Sequence, residues 1–217
     1  MFLEANRRYT LADHAVAHFD HALRTLLGKP LVTERQYPAA DIDEPSLTSE
    51  EKSEIAGLMR VNHSGEVAAQ GLYQGQALTA KNSAVKVAME HSAREENDHL
   101  AWCQRRLAEL QGRRSYLDPV WFTGSLLIGM IAGLAGDQWS LGFVEETEQQ
   151  VTAHLSGHEE RLPKHDLKTT KIIQQMKLDE ATHADSANSA GAEALPFFIK
   201  KIMQFTAKIM TSAAYYI

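Results

Sequence analysis

The chain has 217 residues, 44% of them hydrophobic and 23% charged, which is ordinary usage for a compact globular domain and unlike a disordered or fibrous chain. Its 22 basic against 28 acidic side chains give a formal charge of −6, so no global positive field exists to hold a phosphate backbone, and nucleic acid is excluded as a partner. Cys103 is the only cysteine, which rules out an internal disulfide framework and any multi-cysteine zinc or iron–sulfur site, and suits a reducing compartment.

Met1 to Arg8 carries Glu4 and no uninterrupted apolar core, so it does not read as a secretory signal. From Thr10 to Leu27 the residues Leu11, Ala15, Phe19, Ala22, Leu23 and Leu26 recur three or four apart, and Gly28 with Pro30 stops the pattern, which predicts a short leading helix. Val32 to Ser46 holds Pro38, Pro45 and scattered acids without periodicity and reads as a linker over the surface. Residues 1–47 are therefore expected to be a leading helix and linker, and residues 48–217 the body.

Thr48 with Glu51 forms a capping box, and the helix it opens, to about Thr79, puts Ile55, Met59, Asn62, Glu66, Ala69 and Tyr73 on one face. A second helix is expected from about Ser83 to Leu110, with Met89, Glu96, His99, Cys103 and Leu107 in line and Gly112 as its stop. Pro119 to Gly136 is an apolar run with four glycines. Its 18 residues sit at the bottom of the spanning range, which favours a helix packed closely on neighbours over membrane contact. A third long helix should cover Leu141 to about Leu162, broken by Pro163. A fourth has Ile173, Met176, Glu180, His183 and Ala187 in line, and Pro196 can open a fifth. Sustained strand alternation is missing, so the expected class is all-α.

A Glu-x-x-His pair sets two side chains one turn apart on the same helix face, where both can reach one metal ion. Glu96 with His99 and Glu180 with His183 are such pairs. By counting alone 18 glutamates and 10 histidines in 217 positions would give about 0.8 of them. The stripe carries the argument: each pair falls on an apolar face, where an ionised carboxylate is costly unless something compensates it. If the first two long helices fold back at Lys81, the residue level with Glu96 is Glu66. If the next two fold back around Lys164, the residue level with Glu180 is Glu148, with Glu145 and Glu146 as competitors. The expected fold is thus a ferritin-like four-helix bundle with a di-iron carboxylate centre, joined by additional apolar and amphipathic helices. Four carboxylates and two imidazoles suit iron or manganese better than zinc, iron being the better choice. Glu95 and Asp179 precede the two motifs and could bond the second nitrogen of the facing histidine. Tyr73 and Cys103 read as packing, and His63 and His154 as packed or surface residues.

The order and neighbours of these residues resemble the demethoxyubiquinone hydroxylases, the COQ7 family of ubiquinone biosynthesis. The likeness is carried by LMRVNHSGEVAAQGLYQGQ (58–76), EENDHLAWC (95–103), SLGFV (140–144) and ALRTLL (22–27). This chain departs from the family in the run of carboxylates, Glu145 and Glu146, just before Glu148. The resemblance implies two iron ions held by Glu66, Glu96, His99, Glu148, Glu180 and His183, with no catalytic side chain beyond these ligands. It implies an O2-dependent monooxygenase that hydroxylates the ring of a demethoxyubiquinol to give 3-demethylubiquinol. The expected partners are that quinol, O2, an external electron donor, a membrane surface and other proteins of ubiquinone biosynthesis. The competing reading is a ferritin-like ferroxidase or a non-enzymatic iron-binding bundle. Against it stand two apolar stretches, Pro119 to Gly136 and Leu195 to Ile217, the latter basic through Lys200, Lys201 and Lys208. Such stretches suit peripheral attachment to the cytoplasmic face of a cell membrane.

Overall fold

A computed structural model of the chain describes residues 10–28, 30–33 and 35–217. Met1 to Arg8, expected to carry no secretory signal, lie outside the described residues. The described residues form α1 (Leu11–Leu27), α2 (Ser49–Thr79), α3 (Ser83–Glu109), α4 (Asp118–Ala135), α5 (Asp137–Arg161), α6 (Leu167–Ser189) and α7 (Phe197–Tyr216), and no strand occurs among them.

Local chemistry sets most of these ends. Thr10 and Thr48 each cap a helix reciprocally with the acid three residues on, Asp13 and Glu51, and Gly28 ends α1 at φ 74°. Asn82 accepts from the Ala84 amide at the start of α3, and Asp166 from the Thr169 amide at the start of α6. Two boundaries differ from expectation. The left-handed residue after α3 is Gln111 (φ 57°), one place before Gly112. The Gly112 amide bonds the Leu107 carbonyl at 2.7 Å, and a Cβ on Gly112 would press on Ala56 at 3.0 Å, so this glycine is needed for close approach. Helix α5 begins at Asp137, four residues before Leu141, because Gly136 at φ 136° turns the chain within a single residue. The Asp137 carboxylate then receives the amides of Lys81 and Asn82, tying the α2–α3 turn to α5.

α2 with α3 and α5 with α6 are the two antiparallel hairpins of a four-helix bundle, the ferritin-like arrangement expected. The bundle has two apolar cores. Ile55, Met59, Trp102, Leu155, Ile173 and Met176 fill one end, and Tyr73, Val85, Met89, Leu141, Val144 and Ala187 the other. On every helix the Glu and His positions lie between the two, so the charged groups sit mid-bundle with apolar packing above and below.

α4 runs parallel to α2 at backbone contact. A side chain on Gly71 or Gly75 would overlap the carbonyls of Phe122 or Leu126, and one on Gly129 or Gly133 would overlap the Leu72 carbonyl or the Thr79 hydroxyl. The apolar run is therefore packed on one face only, because Val120, Leu127, Ile131 and Leu134 on the other are each more than half exposed. Phe197, Phe198, Ile202 and Phe205 of α7 are likewise more than half exposed. In α1, Ala22 and Leu26 pack against Val67, Leu100 and Phe122, whereas Phe19 and Leu23 of the expected stripe face outward.

The segment before α2 corrects the expectation of a surface linker. Tyr37 and Ala39 are buried, Thr33 donates its amide and hydroxyl to Asp98 at 2.7 and 2.6 Å, and Glu44 accepts from Arg106 at 2.8 and 2.7 Å and from Lys168 at 3.1 Å. Asp98 and Arg106 are buried charges that need partners, and this strap supplies them.

Candidate metal centre

Glu66 comes from α2, Glu96 and His99 from α3, Glu148 from α5, and Glu180 and His183 from α6, all six buried. Their ligand atoms form two groups, each within 4.8 Å of one another: Glu66, Glu96, His99 and Glu180; and Glu96, Glu148, Glu180 and His183. Glu96 and Glu180 belong to both. Glu96 sets one oxygen 3.0 Å from His99 Nδ1 and the other 2.9 Å from His183 Nδ1, while Glu180 sets its two oxygens 3.2 and 3.3 Å from the same atoms. Of the two histidines, Glu66 is paired with His99, at 3.8 Å. The centre is thus a pair of equivalent halves sharing two carboxylates.

The outer nitrogens complete the symmetry. His99 Nε2 is 2.8 Å from Asp179, and His183 Nε2 is 2.9 Å from Glu95. Each histidine is held by the acid that precedes the facing motif, as the sequence suggested, and each turns Nδ1 toward the cluster.

Burial without a cation distributes protons unevenly. Desolvation raises Glu66 and Glu148 well above the ordinary carboxylate range, helped by the charges of Glu96 and Glu180. Burial pushes Glu96 the same way, but His99 and His183 hold it well below its usual value. Burial would lower both histidines, yet the charges and hydrogen bonds of Glu96 and Glu180 win: His99 stands well above its ordinary value and His183 is pushed up to about 12. The cluster thus neutralises itself with protons at positions that cations could take. The donor set fits the metal the sequence suggested. One imidazole and three carboxylates per half are hard donors suited to iron or manganese, and two shared carboxylates can join two ions.

Around the centre the sequence reading needs adjustment. Glu145 points away, accepting from Asn188 and Gln149, and Glu146 pairs with Lys200 at 2.6 Å, leaving Glu148 as the α5 residue in the cluster. Tyr73 is core, as expected, but its hydroxyl also donates to Glu148, a contact that no spacing rule shows. His63 lies outside the centre, 3.3 Å from Asp118 at the start of α4, where Ser64 also donates to Asp118. His154 meets the His158 ring, and His158 is 2.8 Å from Asn62. Cys103 packs its sulfur on Met176. Arg35, which sequence reasoning missed, bonds Asp179 at 2.6 Å across 144 positions of chain.

A cavity of about 760 Å³ reaches from Glu66, Glu96, Glu148 and Glu180 out between α4 and α7, past Leu72, Trp121, Phe143 and Met203. It connects the carboxylates to the two helices whose outer faces are apolar.

A family model described as "Ubiquinone biosynthesis protein COQ7" matches residues 53–214. The 3-demethoxyubiquinol 3-hydroxylase of Coxiella burnetii (strain RSA 331) is 53% identical over 212 residues, covering 98% of each chain. Proteins of the same name from Nitrosomonas eutropha and Nitrosococcus oceani are each 52% identical, covering 94% and 97% of this chain and 98% and 99% of their own. Since the family match takes in all six clustered residues and the relatives align almost end to end, the chain belongs to the COQ7 family of ubiquinone biosynthesis proteins.

Proposed function

We propose that this chain is an iron-dependent monooxygenase that hydroxylates the ring of 3-demethoxyubiquinol to 3-demethylubiquinol, with Glu66, Glu96, His99, Glu148, Glu180 and His183 holding two iron ions. The observation that carries the reading beyond family membership is the cavity that joins the carboxylate cluster to an apolar flank, a shape suited to a polar ring on an isoprenoid tail. Bound iron supplies the activation of O2, which no side chain here can perform.

The residues do the rest. Glu96 and Glu180 each present one oxygen to either half, which fixes the separation of the two positions. Asp179 and Glu95 hold the histidine rings by Nε2 and keep Nδ1 inward. The Tyr73 hydroxyl holds Glu148 in place at the α5 side. The apolar cavity wall excludes water from the ring-binding space, and Leu72, Trp121 and Phe143 give an aromatic ring a surface to lie against. One oxygen atom of O2 enters the ring and the other leaves as water, so two electrons come from a donor outside the chain.

The reading extends to location. A tailed quinol stays in the bilayer, and the exposed apolar faces of α4 and α7 suit peripheral attachment at the cytoplasmic face of the cell membrane. α4 is long and apolar enough to cross a membrane, yet one of its faces is committed to the backbone of α2, which favours lying at the surface. A ferroxidase would have no use for an apolar cavity or for greasy outer faces.

Anaerobic loading with ferrous iron and a metal count, followed by labelled O2, a reductant and a short-tailed demethoxyubiquinol, tests the reading. Two irons per chain and a product that has gained one labelled oxygen are expected. Oxidised iron with unmodified quinol would return the ferroxidase reading.

A further inference from the structure

The two halves of the centre are alike in their inner ligands and unlike behind them. In the His183 half, Glu95 holds the ring and its other neighbour is His91 at 3.3 Å, on the same helix and 64% exposed. In the His99 half, the Asp179 oxygen on His99 Nε2 also takes the Arg35 guanidinium at 2.6 Å, and Gln175 bonds the second oxygen at 3.0 Å. The same guanidinium lies 5.0 Å from the centre of the Trp102 ring, which is 5.2 Å from the His99 ring. One arginine therefore grips both groups that fix His99, the carboxylate on its outer nitrogen and the aromatic ring at its side. Arg35 reaches this position because Thr33 is bonded to Asp98 on one side of it and Tyr37 to Glu109 on the other.

We propose that Arg35 is a positioning residue that makes the two metal positions unequal, the strap before α2 locking the outer side of His99 while the outer nitrogen of His183 is held by Glu95, backed by the exposed His91. The inference rests on the two-metal reading above. Two effects act on this position, in opposite directions on affinity, and the second is the larger. The guanidinium neutralises Asp179, so this carboxylate draws less on the His99 N–H than Glu95 does on His183, and His99 donates less electron density to its ion. The Arg35–Asp179 bond and the contact with Trp102 also restrict the Asp179 and His99 side chains, so less freedom is lost when an ion binds. An otherwise symmetric ligand set then contains a rigid, electron-poorer position and a softer, electron-richer one.

Titration of the metal-free full chain with Co(II), followed by calorimetry and the visible bands of the bound ion, reads the two positions without turnover. The wild type should take up two ions. Arg35→Gln should leave one affinity unchanged and weaken the other by about 10- to 100-fold, with altered bands for that ion only. Arg35→Lys, which keeps a cation for Asp179 but loses the planar contact with Trp102, should recover part of the loss. The loss should persist when His183 is replaced by alanine and vanish when His99 is. Arg35 is about one-third exposed, so the variant should keep its helical content, and a purely structural role would lower the melting temperature without splitting the affinities. Uptake of one ion or fewer by the wild type would overturn the two-metal reading and this one with it. Two-ion uptake with both positions weakened equally in Arg35→Gln, or neither, would overturn the role of Arg35 alone.

Discussion

Midway along α2, α3, α5 and α6, four carboxylates and two imidazoles are shut away from water, while along α4 and α7 phenylalanines, leucines and isoleucines face outward. In an isolated soluble chain both arrangements are costly. A buried carboxylate forfeits several kcal/mol of hydration, and each large apolar side chain left in water forgoes about 1.5–3 kcal/mol. Both costs vanish when partners arrive, cations inside and an apolar medium outside. On the proposed reading the buried charge holds metal and the apolar faces meet lipid, and the cavity between α4 and α7 is where the two regions connect.

The largest test of the inner region removes a shared carboxylate. Glu96→Ala or Glu180→Ala takes an oxygen from both halves at once, so metal uptake should fall from two ions to one or none and hydroxylation to background, with helical content by circular dichroism largely kept. Near-normal turnover at full iron loading in either variant would remove the site assignment. Next, Glu148→Gln should impair iron uptake strongly, whereas Glu145→Gln, whose carboxylate faces Asn188 and Gln149, should change it little. The reverse order would mean that α5 presents a different turn to the centre.

Why these positions were legible in the sequence follows from how local their geometry is. Glu96 with His99 and Glu180 with His183 lie three apart on single helices, and Glu66 and Glu148 are fixed by the two tight turns that set helices level. The crossed support of Asp179 and Glu95 follows from the same symmetry. Arg35 and the Tyr73 hydroxyl did not show, because their partners are brought near only by tertiary packing, across 144 and 75 residues. The strap was hidden for a like reason. A segment of scattered acids and prolines looks solvated until the buried Arg106 that Glu44 serves is in view. The packing of α4 was legible only in part, since four glycines signal close approach but not which face remains open.

The outer region is tested through α7. Lys201 and Lys208 are exposed, whereas Lys200 is committed to Glu146. Each exposed lysine should add on the order of 1 kcal/mol to binding at an anionic surface, fading with salt. Lys201→Glu with Lys208→Glu should therefore weaken sedimentation with anionic liposomes by about tenfold or more at low ionic strength. Phe198→Ser with Phe205→Ser should weaken binding to neutral vesicles as well. Lys200→Glu should act differently, setting two acids face to face and loosening α7 from α5. Unchanged liposome binding in all three variants would detach these faces from any membrane role.

The smallest effect returns to the interior and concerns pH. His183 is held at about 12 in the fold against 6.5 ordinarily, so its contribution to stability is fully present below about pH 6.5 and is lost as pH rises toward the folded value. Glu66 and Glu148, also raised, act in the same direction above their ordinary carboxylate range. Glu96, depressed, contributes above that range and loses its contribution on acidification. Metal-free protein should therefore melt at progressively lower temperature from about pH 6.5 to about pH 9. Metal-loaded protein should show the opposite increment, because each ion displaces protons from these groups and binds more tightly as they become scarce. Melting curves of chelator-treated and Mn(II)-loaded protein across that window should diverge with rising pH. A metal-free melting temperature that stayed level or climbed would show that the cluster does not hold these protons, and the interior would then differ from the outer helices by less than its burial suggests.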